Sequence, residues 1–193
     1  MVAVGRRGVV LLVLLASAVV LIGLSVLLLR PTSAQLPSKS VWTADVEEVM
    51  EGSDDWLDQR VERGGRRLAL NLDIDNTSIA SHYDPGDPVE PVLAFARHAR
   101  SKGVVLLFNT GRAATPELRA STLRQLDRNG YVVTELCMRR VGEATVPGKQ
   151  RCRRQFVDEG YTLIANIGNN ATDFVGGDYE RAFRLPSYDG ELN

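Results

Sequence analysis

Apolar positions change rhythm along this chain. From Gly8 to Leu29 they are continuous over 22 residues, with Ser17 and Ser25 the only polar side chains. A helix of that length extends about 33 Å at ~1.5 Å per residue, enough for a hydrocarbon core of about 30 Å. Arg6 and Arg7 precede the run, and Thr32-Ser33-Ala34 offers small residues for cleavage. A cleaved signal has a shorter apolar region, about 7–15 residues, so residues 1–34 read as either a signal peptide or a transmembrane anchor. Both readings keep the early arginines cytoplasmic and send residues 35–193 across the membrane. The expected location is extracytoplasmic, either secreted or held in the membrane through residues 8–29. Residues 35–41 read as a linker, and 42–193 as one domain.

Beyond the linker the rhythm is helical, then that of buried strands. Thr43 can cap a helix, with Val46, Met50, Leu57 and Val61 on one face and Gly64-Gly65 stopping it. Leu68 to Asp75 is a buried strand. Asp87-Pro88-Val89-Glu90 starts a helix that ends near Gly103, with Pro88 near its first position. The apolar run Val104 to Asn109 suits a parallel strand. Thr115-Pro116-Glu117 opens a helix ending near Gly130, and Tyr131 to Leu136 is a third strand. A helix from Lys149 to Glu159, a strand from Tyr161 to Ile167 and a short strand from Arg181 to Leu185 complete the chain. Strands alternating with helices predict an α/β domain, a doubly wound, Rossmann-like parallel sheet with helices on both faces. Ligands bind such sheets outside the carboxyl ends of the strands.

Composition narrows the partners. The net charge is −1, and the three arginines of residues 1–34 leave 20 basic against 24 acidic groups beyond them. A weakly acidic domain lacks the positive footprint of a nucleic-acid binder. Lysine is scarce, occurring only at 39, 102 and 149, while the other 20 basic residues are arginine. A lysine near candidate chemistry therefore carries weight. In an oxidising compartment Cys137 and Cys152 can form one disulfide; the alternative is two small buried apolar side chains.

Each strand end carries polar chemistry. After the first come Asp73-Ile74-Asp75-Asn76-Thr77. Residues two apart on an extended chain project to one side, about 7 Å apart, so one carboxylate can attack while the other handles protons. A strand-end turn also uses Asp and Asn. After the second come Thr110-Gly111-Arg112, a hydroxyl and accessible backbone N–H groups that suit phosphate oxygens. Taken alone this is an ordinary strand-to-helix turn. Lys149, placed before the fourth strand, can neutralise both Asp73 and a bound phosphoryl group; the alternative is a solvated lysine. After the fourth strand, Gly168-Asn169-Asn170-Ala171-Thr172-Asp173-Phe174 holds oxygen donors of the kind Mg²⁺ prefers, or a polar turn.

Together and in this order, these segments resemble the four motifs of haloacid dehalogenase (HAD) superfamily phosphatases, over about residues 42–189. Asp-Ile-Asp-Asn-Thr and the Gly-Asn…Asp-Phe ending resemble the acid phosphatase branch. The resemblance implies a magnesium-dependent phosphomonoester hydrolase acting on a small phosphorylated substrate. Asp73 is the implied nucleophile, forming an aspartyl-phosphate. Asp75 is the implied proton donor and then base. Thr110, with Gly111 and Arg112, is expected to bind the phosphate, and Lys149 to stabilise its charge. Asp73, the Asp75 carbonyl, Asn169 and Asp173 are the expected metal set. Asn169 stands where many members carry Asp.

No segment is long enough for a large cap domain, so an open site is expected, with Ser81 to Asp87 as a flap. His82 and His98 read as surface or packing residues, and Arg139, Arg140, Arg151, Arg153 and Arg154 as a solvated basic face. A non-catalytic protein binding phosphorylated ligands, or a phosphotransferase, are the alternatives.

Overall fold

A computed structural model describes residues 36–192. The apolar run at residues 8–29 and the small residues at 32–34 lie outside them. Among the described residues, no helix is long and apolar enough to cross a membrane.

The described residues open with two helices where the sequence predicts one beyond the linker. Helix α1 spans Lys39–Met50 and α2 spans Ser53–Glu62. The cap is Ser38, whose Oγ accepts from the Val41 N–H at 3.4 Å, so the helix starts ahead of Thr43 and shortens the expected linker. Gly52, at φ +67°, makes the break, since a left-handed residue cannot continue a helix and glycine adopts that conformation without Cβ strain. The turn keeps Trp42, Val46 and Met50 of α1 and Leu57 of α2 buried in a common core.

The remainder alternates: β1 (Leu68–Leu72), α3 (Glu90–Ser101), β2 (Val105–Ala113), α4 (Pro116–Arg128), β3 (Glu135–Arg139), α5 (Thr145–Asp158), β4 (Thr162–Gly168) and β5 (Arg181–Arg184). The five strands form a parallel sheet in the order β3-β2-β1-β4-β5. Strand β1 is central, so Asp73 and its neighbours emerge at the middle of the carboxyl edge. Leu68, Leu70 and Leu72 face the larger core with α1 to α4, whereas Ala69 faces the smaller core under α5, with Cys152 and Phe156. Helices thus cover both faces, unevenly. Burying one such leucine is worth roughly 1.5–3 kcal/mol. No cap domain rises over the strand ends among the described residues, and the stretch from 73 to 89 between β1 and α3 is a loop.

Other boundaries shift for local reasons. Helix α3 starts at Glu90 with Val89 as its cap, so the proline in its first turn is Pro91 rather than Pro88. Helix α5 begins at Thr145, not Lys149, because Pro147 falls in its first turn, where its missing N–H costs nothing. Strand β3 starts at Glu135. Tyr131 precedes it as a buried side chain whose hydroxyl donates to the Ser78 carbonyl at 3.0 Å and whose ring meets Phe108 edge-on.

Candidate active site

Four segments deliver side chains to one cavity of about 180 Å³ at the carboxyl edge of the sheet. The segment after β1 supplies Asp73, Asp75 and Asn76, and the end of β2 supplies Gly111 and Arg112. Helix α5 supplies Thr145 and Lys149, and the loop after β4 supplies Asn169, Asn170 and Thr172. Leu192 completes the lining. A larger hollow of about 580 Å³ between α1, α2 and α3 shares no residue with these strand ends. It is lined by Glu47, Glu48, Glu51, Asp54 and Asp55, a field that repels anions.

Asp73 sits at the floor, 6% exposed. The ammonium of Lys149 donates to its Oδ1 at 2.7 Å and also to Oδ1 of Asp173. Its Oδ2 accepts from the Thr77 hydroxyl at 3.4 Å, and its main-chain carbonyl accepts from Ser78 Oγ at 2.6 Å. Burial and then the charge of Asp173 push the Asp73 carboxyl up to about 7, against the pull of Lys149. Burial works against the Lys149 charge, but Asp73 and Asp173 outweigh it and raise the ammonium above its ordinary value. Two buried carboxylates thus face one buried cation.

Asp75 lies at the rim in a different environment. Arg112 grips it with Nε and Nη2, Ser81 Oγ donates to it at 2.9 Å, and its side chain remains 44% exposed. Burial raises its pKa, but the Arg112 pair and Ser81 outweigh burial and hold it below the usual carboxylate range. The two carboxylates of one short motif are therefore driven apart in acidity, the pattern that separates acid–base roles.

Thr110 is not in the cavity lining. It is buried, and its hydroxyl accepts from the Arg112 N–H at 3.2 Å, where the register of β2 against β3 shifts between Thr110 and Ala113 and presents Gly111 and Arg112. A Cβ on Gly111 would stand 3.3 Å from the Thr145 methyl. Asp173 also stays behind the cavity wall. Its carboxylate takes Lys149 on one oxygen and the Asn170 N–H on the other, at 2.9 Å, closing a capping box over the single 3₁₀ turn Ala171–Asp173. Gly168 makes room for it, since a Cβ there would lie 2.6 Å from Asp173 Cγ. Of this loop, Asn169, Asn170 and Thr172 line the cavity, and Asn169 Oδ1 accepts from the Thr77 hydroxyl at 3.3 Å.

Of the five arginines expected to form a solvated basic face, Arg140 and Arg154 are exposed, whereas the other three serve structural contacts. Arg153 is fully buried and ties the loop after β4 through the carbonyls of Asp173, Val175 and Gly177. Arg139 donates to the Gly111 carbonyl at 2.8 Å, and Arg151 pairs with Glu143 at 2.9 Å. His98 pairs with Asp58 on the surface, as a packing residue should. Asn71, Asn109 and Asn166, buried in mid-strand, are support residues that the sequence pattern did not single out. Asn71 bonds to Asn166, Asn166 to the Asp173 carbonyl at 3.0 Å, and Asn109 to the Lys149 carbonyl at 2.9 Å. An asparagine inside three apolar strands is the signal that would have found them. A disulfide joins Cys137 on β3 to Cys152 on α5, one helical turn beyond Lys149.

Asp73 and Asn169 line the cavity, and their side-chain oxygens are hard donors. They suit an oxygen-preferring divalent cation that keeps several of its waters, and the surplus of buried carboxylate over ammonium favours one. Among the described residues, no group of three or more His, Cys, Asp or Glu side chains is placed to hold a metal.

The model of the family described as HAD superfamily, subfamily IIIB (Acid phosphatase), matches residues 83–191, more than half of the chain. That span includes Thr110, Lys149 and the loop after β4, whereas Asp73 and Asp75 precede it. Among solved structures, the class C acid phosphatase from Bacillus anthracis aligns with a TM-score of 0.64 at 16% identity, over 78% of this chain and 80% of that one. No protein of curated function matches the sequence.

Proposed function

The chain belongs to subfamily IIIB of the HAD superfamily, the acid phosphatases, and is a phosphatase; on that premise we propose that it hydrolyses small phosphomonoesters through an aspartyl-phosphate on Asp73. The observation that carries the reading is the buried ion triad of Asp73, Lys149 and Asp173 beneath a cavity rimmed by Asp75 and Arg112.

In the first half-reaction, Asp73 Oδ forms a bond to phosphorus and the bond to the leaving oxygen breaks. Lys149 keeps its charge beside the transferring group, held from below by Asp173. Gly111 and Arg112, near the end of β2, face the phosphoryl oxygens. Asp75 rests as a carboxylate, so the proton it passes to the leaving oxygen arrives with the substrate, as the monoanion of a phosphomonoester carries one. In the second half-reaction Asp75 removes a proton from water, which attacks phosphorus and frees Asp73. Mg²⁺ is the cation we propose, held by Asp73, the Asp75 carbonyl and Asn169; when bound it offsets negative charge between nucleophile and phosphate. Asp173 supports this set through Lys149 rather than as a direct ligand.

The proposal extends to location. The apolar run at residues 8–29 and the Cys137–Cys152 disulfide both suit an exported domain, since disulfides persist in oxidising compartments. The test of function is phosphate release by the purified full-length chain from a panel of aryl and alkyl phosphates, with and without Mg²⁺. Absence of release from every ester under both conditions refutes the hydrolase reading.

A further inference from the structure

We propose that the main-chain carbonyl of Leu192 is a positioning group of this site, setting which end of the Asn169 amide faces the cavity. The carbonyl accepts two side-chain amides at once, Asn76 Nδ2 at 3.1 Å and Asn169 Nδ2 at 3.0 Å. One comes from the loop after β1 and the other from the end of β4, so a single oxygen bridges the two loops that flank Asp73. A carbonyl has two acceptor directions, and both are used. Leu192 is 1% exposed, so water does not compete for them.

The bond has a direction, and that direction matters. With its nitrogen on Leu192, Asn169 turns Oδ1 toward the Thr77 hydroxyl, which also reaches Asp73 Oδ2 at the cavity floor. Asn76, held the same way, turns its Oδ1 to the N–H groups of Ser81 and His82, at 2.9 and 3.0 Å, and so fixes the start of the flap. Were the Asn169 amide to flip, donors would face the Thr77 hydroxyl beside Asp73, where a cation or its waters need an acceptor. The same geometry explains why residue 169 is Asn in this chain. A carboxylate there would confront the Leu192 carbonyl with no proton to offer.

The segment that brings Leu192 to this point is built for the purpose. Tyr188, Asp189 and Gly190 take φ values of +50°, +57° and +90°, a left-handed run that two side-chain-bearing residues adopt only when their surroundings hold them. The Leu192 N–H closes the turn on the Ser187 carbonyl at 3.1 Å. At its other end the Tyr188 hydroxyl donates to Asp45 on α1 at 2.7 Å, and its ring lies against the main core. Residues 187–192 therefore form a strap anchored on α1 that ends on the two asparagines.

This inference rests on the phosphatase reading only where the Asn169 oxygen is given a cation to hold, and its test separates the two. In ¹⁵N-labelled full-length chain, the side-chain NH₂ groups of Asn76 and Asn169 are expected to exchange slowly, since both donate to a buried carbonyl. Ending the chain at Glu191 is expected to speed exchange at these two groups by about tenfold, the scale of one or two lost hydrogen bonds, and to leave the Asn71–Asn166 pair unchanged. Mg²⁺ affinity, titrated calorimetrically without substrate, is expected to weaken by a similar factor. Unchanged exchange at Asn76 and Asn169 overturns the proposal. Faster exchange with undiminished Mg²⁺ affinity also overturns it, reducing the strap to a structural element. If the shortened chain does not fold, Tyr188→Phe in the full-length chain loosens the anchor alone. About fivefold faster exchange at the same two amides is then expected, and none overturns the proposal. A wild-type protein that binds no Mg²⁺ refutes the metal reading and leaves the exchange measurement to decide the strap.

Discussion

Arg112 holds Asp75 at two points, Nε to Oδ2 at 2.9 Å and Nη2 to Oδ1 at 2.7 Å, while its Nη1 donates to Thr122 and Gln125 on α4. The guanidinium is thus fixed from behind and orients the rim carboxylate. Lysine keeps the charge but not the planar fork. Arg112→Lys should therefore lower kcat/KM by on the order of 10²-fold, because misplaced acid–base groups forfeit most of their typical 10²–10⁴-fold assistance. Steady-state kinetics on an aryl phosphate measure it, and a loss under threefold contradicts the orienting role.

Asp75→Asn leaves the nucleophile and removes the proton carrier. Alkyl phosphates, with poor leaving groups, should lose about 10²–10⁴-fold in the first step, and phenolic esters far less. Phosphoenzyme should accumulate with the phenolic substrate, since the attacking water has lost its base. Rapid-quench trapping of the phosphoenzyme tests this. Equal losses for both ester classes count against Asp75 as the donor.

Asp73→Asn should abolish turnover for every ester and at the same time change how stability depends on pH. Burial and Asp173 push the Asp73 carboxyl up to about 7 in the metal-free fold, against about 3.9 in an unfolded chain. The fold holds that proton more tightly than the unfolded chain. Its contribution to stability is complete below about pH 4 and is lost as pH rises toward about 7. Metal-free wild type should lose on the order of a few kcal/mol from this group over that window, and Asp73→Asn should not. Urea denaturation in chelator across the window decides it, and parallel slopes for the two proteins sink the argument.

The fold class and the gathering of Asp73, Asp75, Arg112, Lys149 and Asn169 at one edge were legible in the sequence, because buried strands leave continuous apolar runs and their ends leave polar punctuation. What escaped was set by contacts between distant segments. Whether Asp173 faces the cavity or Lys149 depends on the room Gly168 leaves behind it. Thr110 is buried with its hydroxyl on the Arg112 N–H, while Gly111 and Arg112 line the cavity, an arrangement set by the β2–β3 register shift. Arg153 reads as a surface charge because its acceptors are backbone carbonyls, which any sequence supplies. Leu192 left no signal for the same reason, since its contribution is a carbonyl.

The Cys137–Cys152 disulfide closes a loop of 15 residues that carries Lys149. Chain-entropy arguments value such a loop at about 3 kcal/mol. Replacing both cysteines, as Cys137→Ser with Cys152→Ala, should lower Tm by roughly 10 °C in a domain of this size. It should also reduce kcat, since α5 positions the lysine. Calorimetry and steady-state kinetics on the double variant check both, and an unchanged Tm refutes the stabilising role.

Export is read from residues 8–29 and their flanking arginines. A reporter active only outside the cytoplasm, fused after residue 193, should be active. An intact but silent fusion in the cytosol contradicts it.

Central strand β1 takes β2 on one side and β4 on the other, Ala69 pairing with both Val105 and Leu163. A chain growing from its amino end can zip β1 to β2 early, but the second edge of β1 stays bare until β4 has been made. Parallel pairings over such sequence distances form slowly, and a bare edge invites pairing with other chains. Strand β4 and the turn behind it, made late, are also those that bring Asn169 and Asp173 beside Asp73. A partly synthesised chain should therefore be inert toward phosphate esters, with activity expected only as the sheet closes.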